Sequence, residues 1–264
     1  MQRTLSLFRS GDNFFSVNYS IPFSSMNSFS HSINPLIDIN STSTFFLGED
    51  PSQVIPNFKQ TKPTTDLRLV IHGSSGGRVH HLIKYLVQEV QNNRRTKVDL
   101  EVLTQEKPKD SRSSYVLLIP LFLLPGKHVL NDIPKIFRRL SNQGIDTQLV
   151  PFLGSWPYWI STLKYFVNLK SHNEKSILLH HPINSGENGN SYLKNLNRIL
   201  EIPIISWTQW HGFSDNSDQT YTPIPFALAP NKNTKGLRKS DSISSLLEVD
   251  LFMFNLIKIL SIIS

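Results

Sequence analysis

The sequence predicts an α/β fold of two related halves, each a small parallel sheet flanked by helices, with a cleft between them. Three observations lead there. Short uncharged apolar runs, Leu69 to Ile71 and Tyr115 to Leu124, suit strands of a parallel sheet covered on both faces. Each run passes through a glycine-bearing turn into residues recurring at the three-and-four spacing of a helix face. The third observation is an internal echo. The stretch Pro225-Phe226-Ala227-Leu228-Ala229-Pro230-Asn231-Lys232-Asn233 follows Pro120-Leu121-Phe122-Leu123-Leu124-Pro125-Gly126-Lys127-His128 at an offset of 105, and His181 falls opposite His72 at an offset of 109.

Residues 1–64 are rich in Ser, Asn, Phe and Pro and lack periodic apolar positions, so they read as a poorly ordered extension. Met1 to Arg9 carries two arginines and no acid, a composition open to a transit peptide, though neither an amphipathic arginine-rich helix nor a secretory apolar core is present. The first half, 65–153, opens with a strand from Asp66 that ends at His72 and the turn Gly73-Ser74-Ser75-Gly76-Gly77. A helix is expected from Arg78, with Val79, Leu82, Ile83, Leu86, Val87 and Val90 on one face. Lys97 to Thr104 alternates, placing Val98, Leu100 and Val102 on one side and Asp99 and Glu101 on the other, as in a half-covered strand beside the first. A polar linker, Lys107 to Ser114, precedes the strand Tyr115 to Leu124, which Pro125 and Gly126 break, leaving His128 on the turn at the strand's carboxyl end. Asp132 and Pro134 signal a helix start, Ile133, Ile136, Phe137 and Leu140 form its face, and Gly144 stops it. Gln148 to Phe152 is the last strand of this half.

A connecting helix, 154–173, carries Trp156, Tyr158, Trp159, Leu163, Phe166 and Val167 between the halves. The second half, 174–264, repeats the plan in degenerate form: a strand Ser176 to His180, His181, a loop Ser185 to Gly189, a helix face of Tyr192, Leu193, Leu196 and Ile199, then a strand Ile202 to Trp207. Leu246 to Ile263 is apolar but interrupted by Glu248, Asp250, Asn255 and Lys258, which marks a buried helix rather than a membrane span.

Composition narrows the chemistry. The chain of 264 residues has no cysteine, which excludes thiolate zinc sites, iron–sulfur clusters and disulfides, so any metal must be held by histidine or oxygen. A formal net charge of +7 favours polyanions, whether nucleic acid or a small molecule with many carboxylates, but no long basic block stands out. The turn Gly73 to Gly77 is neither a Walker loop nor a GxGxxG fingerprint. Its N–H groups suit a carboxylate instead.

His72 and His128 each follow a strand, and parallel neighbours would bring both to one sheet edge, where ligands of open α/β sheets bind. Two neutral imidazoles suit cobalt, nickel or ferrous iron and are bases near neutral pH. By contrast His80, His81, His172 and His211 read as ordinary solvated or hydrogen-bonded side chains. Trp207, Trp210 and Phe213 would serve either a flat ligand or packing between the halves.

The run Pro-Leu-Phe-Leu-Leu-Pro-Gly-Lys-His-Val-Leu-Asn-Asp-Ile-Pro from Pro120 to Pro134 resembles the signature of the CbiX and SirB chelatases, best matched over Asp66 to Leu140. The resemblance implies a class II chelatase-like fold and insertion of cobalt or ferrous iron into sirohydrochlorin, serving cobalamin or siroheme synthesis. It makes His72 and His128 both metal-binding and catalytic, with Gly73, Ser74, Arg78, Gly126 and Lys127 placed to receive the acidic tetrapyrrole. The divalent metal is a substrate on this reading, and no organic cofactor is implied. No nucleic acid or membrane partner is expected, the protein would be a monomer or weak homo-oligomer, and its place would be the cytoplasm, or a plastid if the N-terminus is a transit peptide. Two departures stand out. The family's second strand ends in a glutamate where this chain has Thr104, and in the second half Asn233 stands opposite His128. The competing reading is a tetrapyrrole or metal binding protein without turnover.

Overall fold

Strand order and register carry the architecture. The computed structural model describes residues 65–105, 113–171, 175–183, 186–210, 221–231, 234, 243 and 245–263. Expectations for residues 1–64, residues 107–112 of the linker, His172, Ser185, His211, Phe213, Lys232 and Asn233 therefore fall outside the described residues. In the first sheet β1 (Asp66–Ile71), β2 (Val98–Val102), β3 (Tyr115–Pro120) and β4 (Asp146–Leu149) lie parallel in the order β2-β1-β3-β4. β1 and β3 are buried along both faces, as their unbroken apolar runs require. Leu67, Leu69, Ile71, Leu117 and Ile119 face one core, and Val70, Val116 and Leu118 face the other.

On the first face lies α1 (His81–Asn93), which buries Ile83, Leu86 and Val90. On the second, α2 (Ile133–Asn142) buries Ile133, Ile136 and Leu140. α3 (Pro157–Ser171) then crosses to the second half with Trp159, Leu163, Phe166 and Val167 inside. A second parallel sheet comes next, with β5 (Lys175–His180), β6 (Ile204–Ser206) and β7 (Tyr221–Pro225) in the order β6-β5-β7. It is accompanied by α4 (Gly186–Leu200) and α5 (Asp250–Ile262). One hydrophobic cluster runs through α1, α3, α4 and α5, so the halves share a core. Arg94, beyond the end of α1, ties the two together by donating to the carbonyls of Leu260, Ser261 and Ile263 and to that of Thr65. No helix among the described residues is long and apolar enough to cross a membrane.

The halves repeat in register. Val70 pairs with Pro120 and Leu179 with Pro225. The two pairs differ by the same offsets, 109 and 105, that the sequence echo gives.

Several boundaries differ from expectation, each for a local reason. β3 ends at Pro120, not Leu124, because the chain turns away after Leu121 donates to Val70. The apolar run continues because Leu121 and Leu123 are buried as a loop. α1 starts at His81, not Arg78: the Arg78 carbonyl accepts from both the amide and the hydroxyl of Ser74, and His80 is the cap. β4 is shifted back to Asp146, and Pro151, which has no N–H to donate, lies past its end. Asp99 and Glu101 do not face water. They are buried and meet Arg68, itself 1% exposed, and Glu101 also takes both hydrogen bonds of the Arg139 guanidinium from α2.

Candidate functional site

The carboxyl ends of β1 and β3 and the loops that leave them build the site. His72 is the first residue past β1, and Thr104, just past β2, pins it by donating its amide to the His72 carbonyl. The Thr104 hydroxyl donates to the Ser74 carbonyl at 2.8 Å. Gly73 between them has φ +78°, and an added Cβ would lie 2.2 Å from Val102 and 2.7 Å from the Thr104 hydroxyl. Only glycine fits there.

His128 is not on the turn beside the strand. It opens a π turn, His128–Asp132, that runs into α2, and the seven residues Leu121 to Lys127 carry it there. A π turn at the mouth of a helix is often found at a functional site. The loop nonetheless brings the two histidines together, with ring centroids 4.5 Å apart and planes at 62°. Phe122 from the same loop stacks on the His128 ring at 6.0 Å and 23°.

Hydrogen bonding decides which nitrogens are available. His72 Nδ1 lies 2.6 Å from the Gly73 carbonyl, an acceptor, so it carries the proton. His128 Nδ1 lies 2.7 Å from Asp132 Oδ2. With both Nδ1 atoms committed as donors, the lone pairs of the neutral rings sit on Nε2, the usual arrangement of a metal-binding imidazole.

Around this pair the other expected residues take distinct places. Arg78 and Lys127 are exposed, and among the described residues neither forms an ion pair. The Ser74 amide and hydroxyl are spent on Arg78, the Gly77 amide on Ser74 and the Gly126 amide on Leu124. The turn is therefore a poorer anion cradle than its glycines suggest. Glu101 is held by two arginines, Arg68 and Arg139, and among the described residues it forms no metal-holding group with the histidines. His80 accepts from the Leu82 amide as a helix cap, which fits its ordinary reading.

In the second half His181 is exposed and copies His72, its Nδ1 facing the next carbonyl, Pro182, at 3.0 Å. Its neighbour His180 is buried, which pushes that imidazole below its ordinary value. Trp207 packs with Ile177 and Leu179 in a small cluster with Trp210, so these rings serve packing.

Sequence reasoning missed one residue of the site. Asp132 stands at the start of α2 as expected, and its carboxylate also holds His128. The spacing His128-x-x-x-Asp132, one helical turn, is the signal that reveals it.

Parallel sheets, helices on both faces and a histidine pair at one sheet edge make this a chelatase fold. The sirohydrochlorin chelatase SirB from Bacillus subtilis subspecies spizizenii, solved in complex with cobalt, shares it at a TM-score of 0.52, with 14% identity over 75% of this chain and 95% of that one. CbiX, the terminal enzyme for biosynthesis of siroheme in denitrifying bacteria, aligns at 0.47, with 13% identity over 66% of this chain and 82% of that one. A multi-domain Deinococcus radiodurans protein with structural similarity to chelatases aligns at 0.48, with 12% identity over 76% of this chain and 55% of that one. No curated protein matches the chain in sequence. The CbiX family profile matches residues 66–168, a segment that contains both histidines and ends within α3.

Proposed function

We propose that the protein inserts a divalent metal, cobalt or ferrous iron, into sirohydrochlorin for cobalamin or siroheme synthesis. The observation that carries this reading is the His72–His128 pair, 4.5 Å apart with both Nδ1 atoms committed, inside the segment that the CbiX profile matches. The macrocycle must lose two pyrrole protons before its nitrogens can ligate a dication. His72 and His128 would hold the incoming ion through Nε2 and take up those protons as the ion leaves them for the ring. Arg78 and Lys127, both exposed beside the pair, would meet the substrate's carboxylates. Gly73 and Gly126 keep side-chain bulk away from the approach. Ser74 would contribute less, since its polar groups are bonded within the turn.

Thr104 supports a second reading. It occupies the strand end where the family resemblance expects a glutamate, and its hydroxyl is tied to Ser74. Among the described residues no group of three or more His, Asp or Glu converges on a metal position. A protein that binds metal or tetrapyrrole without turnover would look like this.

A spectral titration of the purified protein with sirohydrochlorin, with and without cobalt or ferrous iron, separates the two. Conversion of the free macrocycle spectrum to that of the metal complex, faster than without protein, is the expected result. Binding of the macrocycle with no acceleration for either metal would replace the enzyme by the carrier.

A further inference from the structure

The two histidines are held by unlike partners, and the difference has a consequence for metal binding. His72 is fixed by a backbone carbonyl that no substitution removes, whereas His128 is fixed by a side chain. The structure assigns Asp132 as the positioning residue of His128: its carboxylate locks the imidazole in the Nδ1–H tautomer and keeps the lone pair on Nε2. The inference rests on reading His128 as a metal ligand.

Asp132 has no competing duty. It stands at the N-cap of α2, where aspartate usually accepts from a helix amide, yet its side chain caps nothing. Pro134, at the second helical position, has no N–H to offer a cap, and the Ile133 amide already donates to the His128 carbonyl in the π turn. Lys135 approaches Oδ1 at 3.8 Å, but its side chain is 73% exposed, and such a pair contributes little. Oδ2 is left for the imidazole at 2.7 Å.

Neither of the other neighbours of His128 can choose its tautomer. The Phe122 face fixes the ring plane and has no acceptor for an N–H. His72 meets the ring at an angle with its own Nδ1 turned to Gly73. A free neutral imidazole places its proton mainly on Nε2, the atom a metal needs bare, so the hydrogen bond at the opposite nitrogen decides which form is present. A carboxylate on the far nitrogen of a ligating histidine also makes it a better donor. The acid absent at Thr104 is thus not replaced as a ligand; the carboxylate of this site acts from the helix side through His128.

The test uses the full chain labelled with ¹⁵N-histidine, whose ring tautomers are read by two-bond ¹H–¹⁵N correlation at about pH 8.5, well above the ordinary histidine range. His128 should be Nδ1–H in the wild type and mainly Nε2–H in Asp132→Ala. A wild-type His128 already in the Nε2–H form, or a tautomer unmoved by Asp132→Ala, overturns the assignment. Cobalt affinity, read by visible absorption, should fall about 10- to 100-fold in Asp132→Ala. In a His128→Ala background the same change should have no further effect; an equal loss there would mean that Asp132 acts on its own and not through His128. If the wild type binds no cobalt, the reading of the pair as a metal site fails, while the tautomer measurement still decides the role of Asp132.

Discussion

An imidazole binds a metal through a nitrogen that carries no proton, so at the scale of single residues the site depends on what holds the other nitrogen. His72→Ala and His128→Ala should each abolish metal insertion and leave thermal unfolding near wild type, because His72 is exposed and the His128 side chain is 42% exposed. Loss of a general base alone costs about 10² to 10⁴ in rate, and loss of a ligand adds to it. His181→Ala, in the half with no second histidine opposite His128, is the control that should keep activity. Thr104→Glu has opposed effects. It removes the hydroxyl that holds the Ser74 carbonyl and brings a carboxylate to the strand end beside His72. Attraction between carboxylate and dication should win, giving tighter cobalt binding by equilibrium titration; weaker binding would show that the turn matters more than the added charge. Both histidines were legible in the sequence because each sits past an apolar strand next to glycine. Asp132 was not, since an acid before Ile-Pro reads equally well as a helix start, and only the structure shows that its carboxylate caps nothing.

Among the elements, the strands that position the site were read from their apolar runs, and their ends were misread wherever buried loop and buried strand look alike. Tyr115 to Leu124 is one uninterrupted apolar stretch, but only Tyr115–Pro120 pairs with neighbours. Beyond Pro120 the chain is a loop buried against the second half, a tertiary fact with no local signal. β2 shows the converse. Its alternation of apolar and acidic residues implied a wet face, yet both acids are buried: Glu101 pairs with arginines on β1 and α2, whose sequence distance hid the pairing, and Asp99 pairs with the nearby Lys97 and approaches Arg68. Arg68→Ala removes the buried member of this set but leaves Glu101 with Arg139 and Asp99 with Lys97, so it should destabilise the fold by about 1–3 kcal/mol, measured by urea unfolding. Cobalt binding per folded molecule should be unchanged, since the hydrogen bonds that fix the two histidines come from Gly73 and Asp132. A variant of wild-type stability would mean that water reaches the two carboxylates.

For the whole molecule the question is what the second half contributes to the site. The repeat was visible as two offsets in the sequence, and strand register reproduces both, Val70 with Pro120 and Leu179 with Pro225. How the second half grips the loop that carries His128 was not visible, because that contact depends on one hydroxyl. Tyr192, in α4, is fully buried, which drives its phenol well above the ordinary value and keeps it a donor at any physiological pH. Its hydroxyl reaches the carbonyls of Leu123 at 3.0 Å and Gly154 at 2.9 Å. Those two loops touch so closely that a Cβ on Gly154 would lie 1.9 Å from the Leu123 oxygen. Leu123 belongs to the loop that carries His128 to His72, so Tyr192 in the second half anchors that loop. Tyr192→Phe keeps the ring and removes only the donor, leaving buried carbonyls short of a partner at a cost of about 1–3 kcal/mol. At about 2–4 °C per kcal/mol for a domain of this size, the melting temperature should fall measurably. Cobalt affinity should fall as well, because the His128 loop loses its anchor. A lower melting temperature with unaltered cobalt affinity would show that the loop holds His128 without help, and that the second half stabilises the fold without shaping the site.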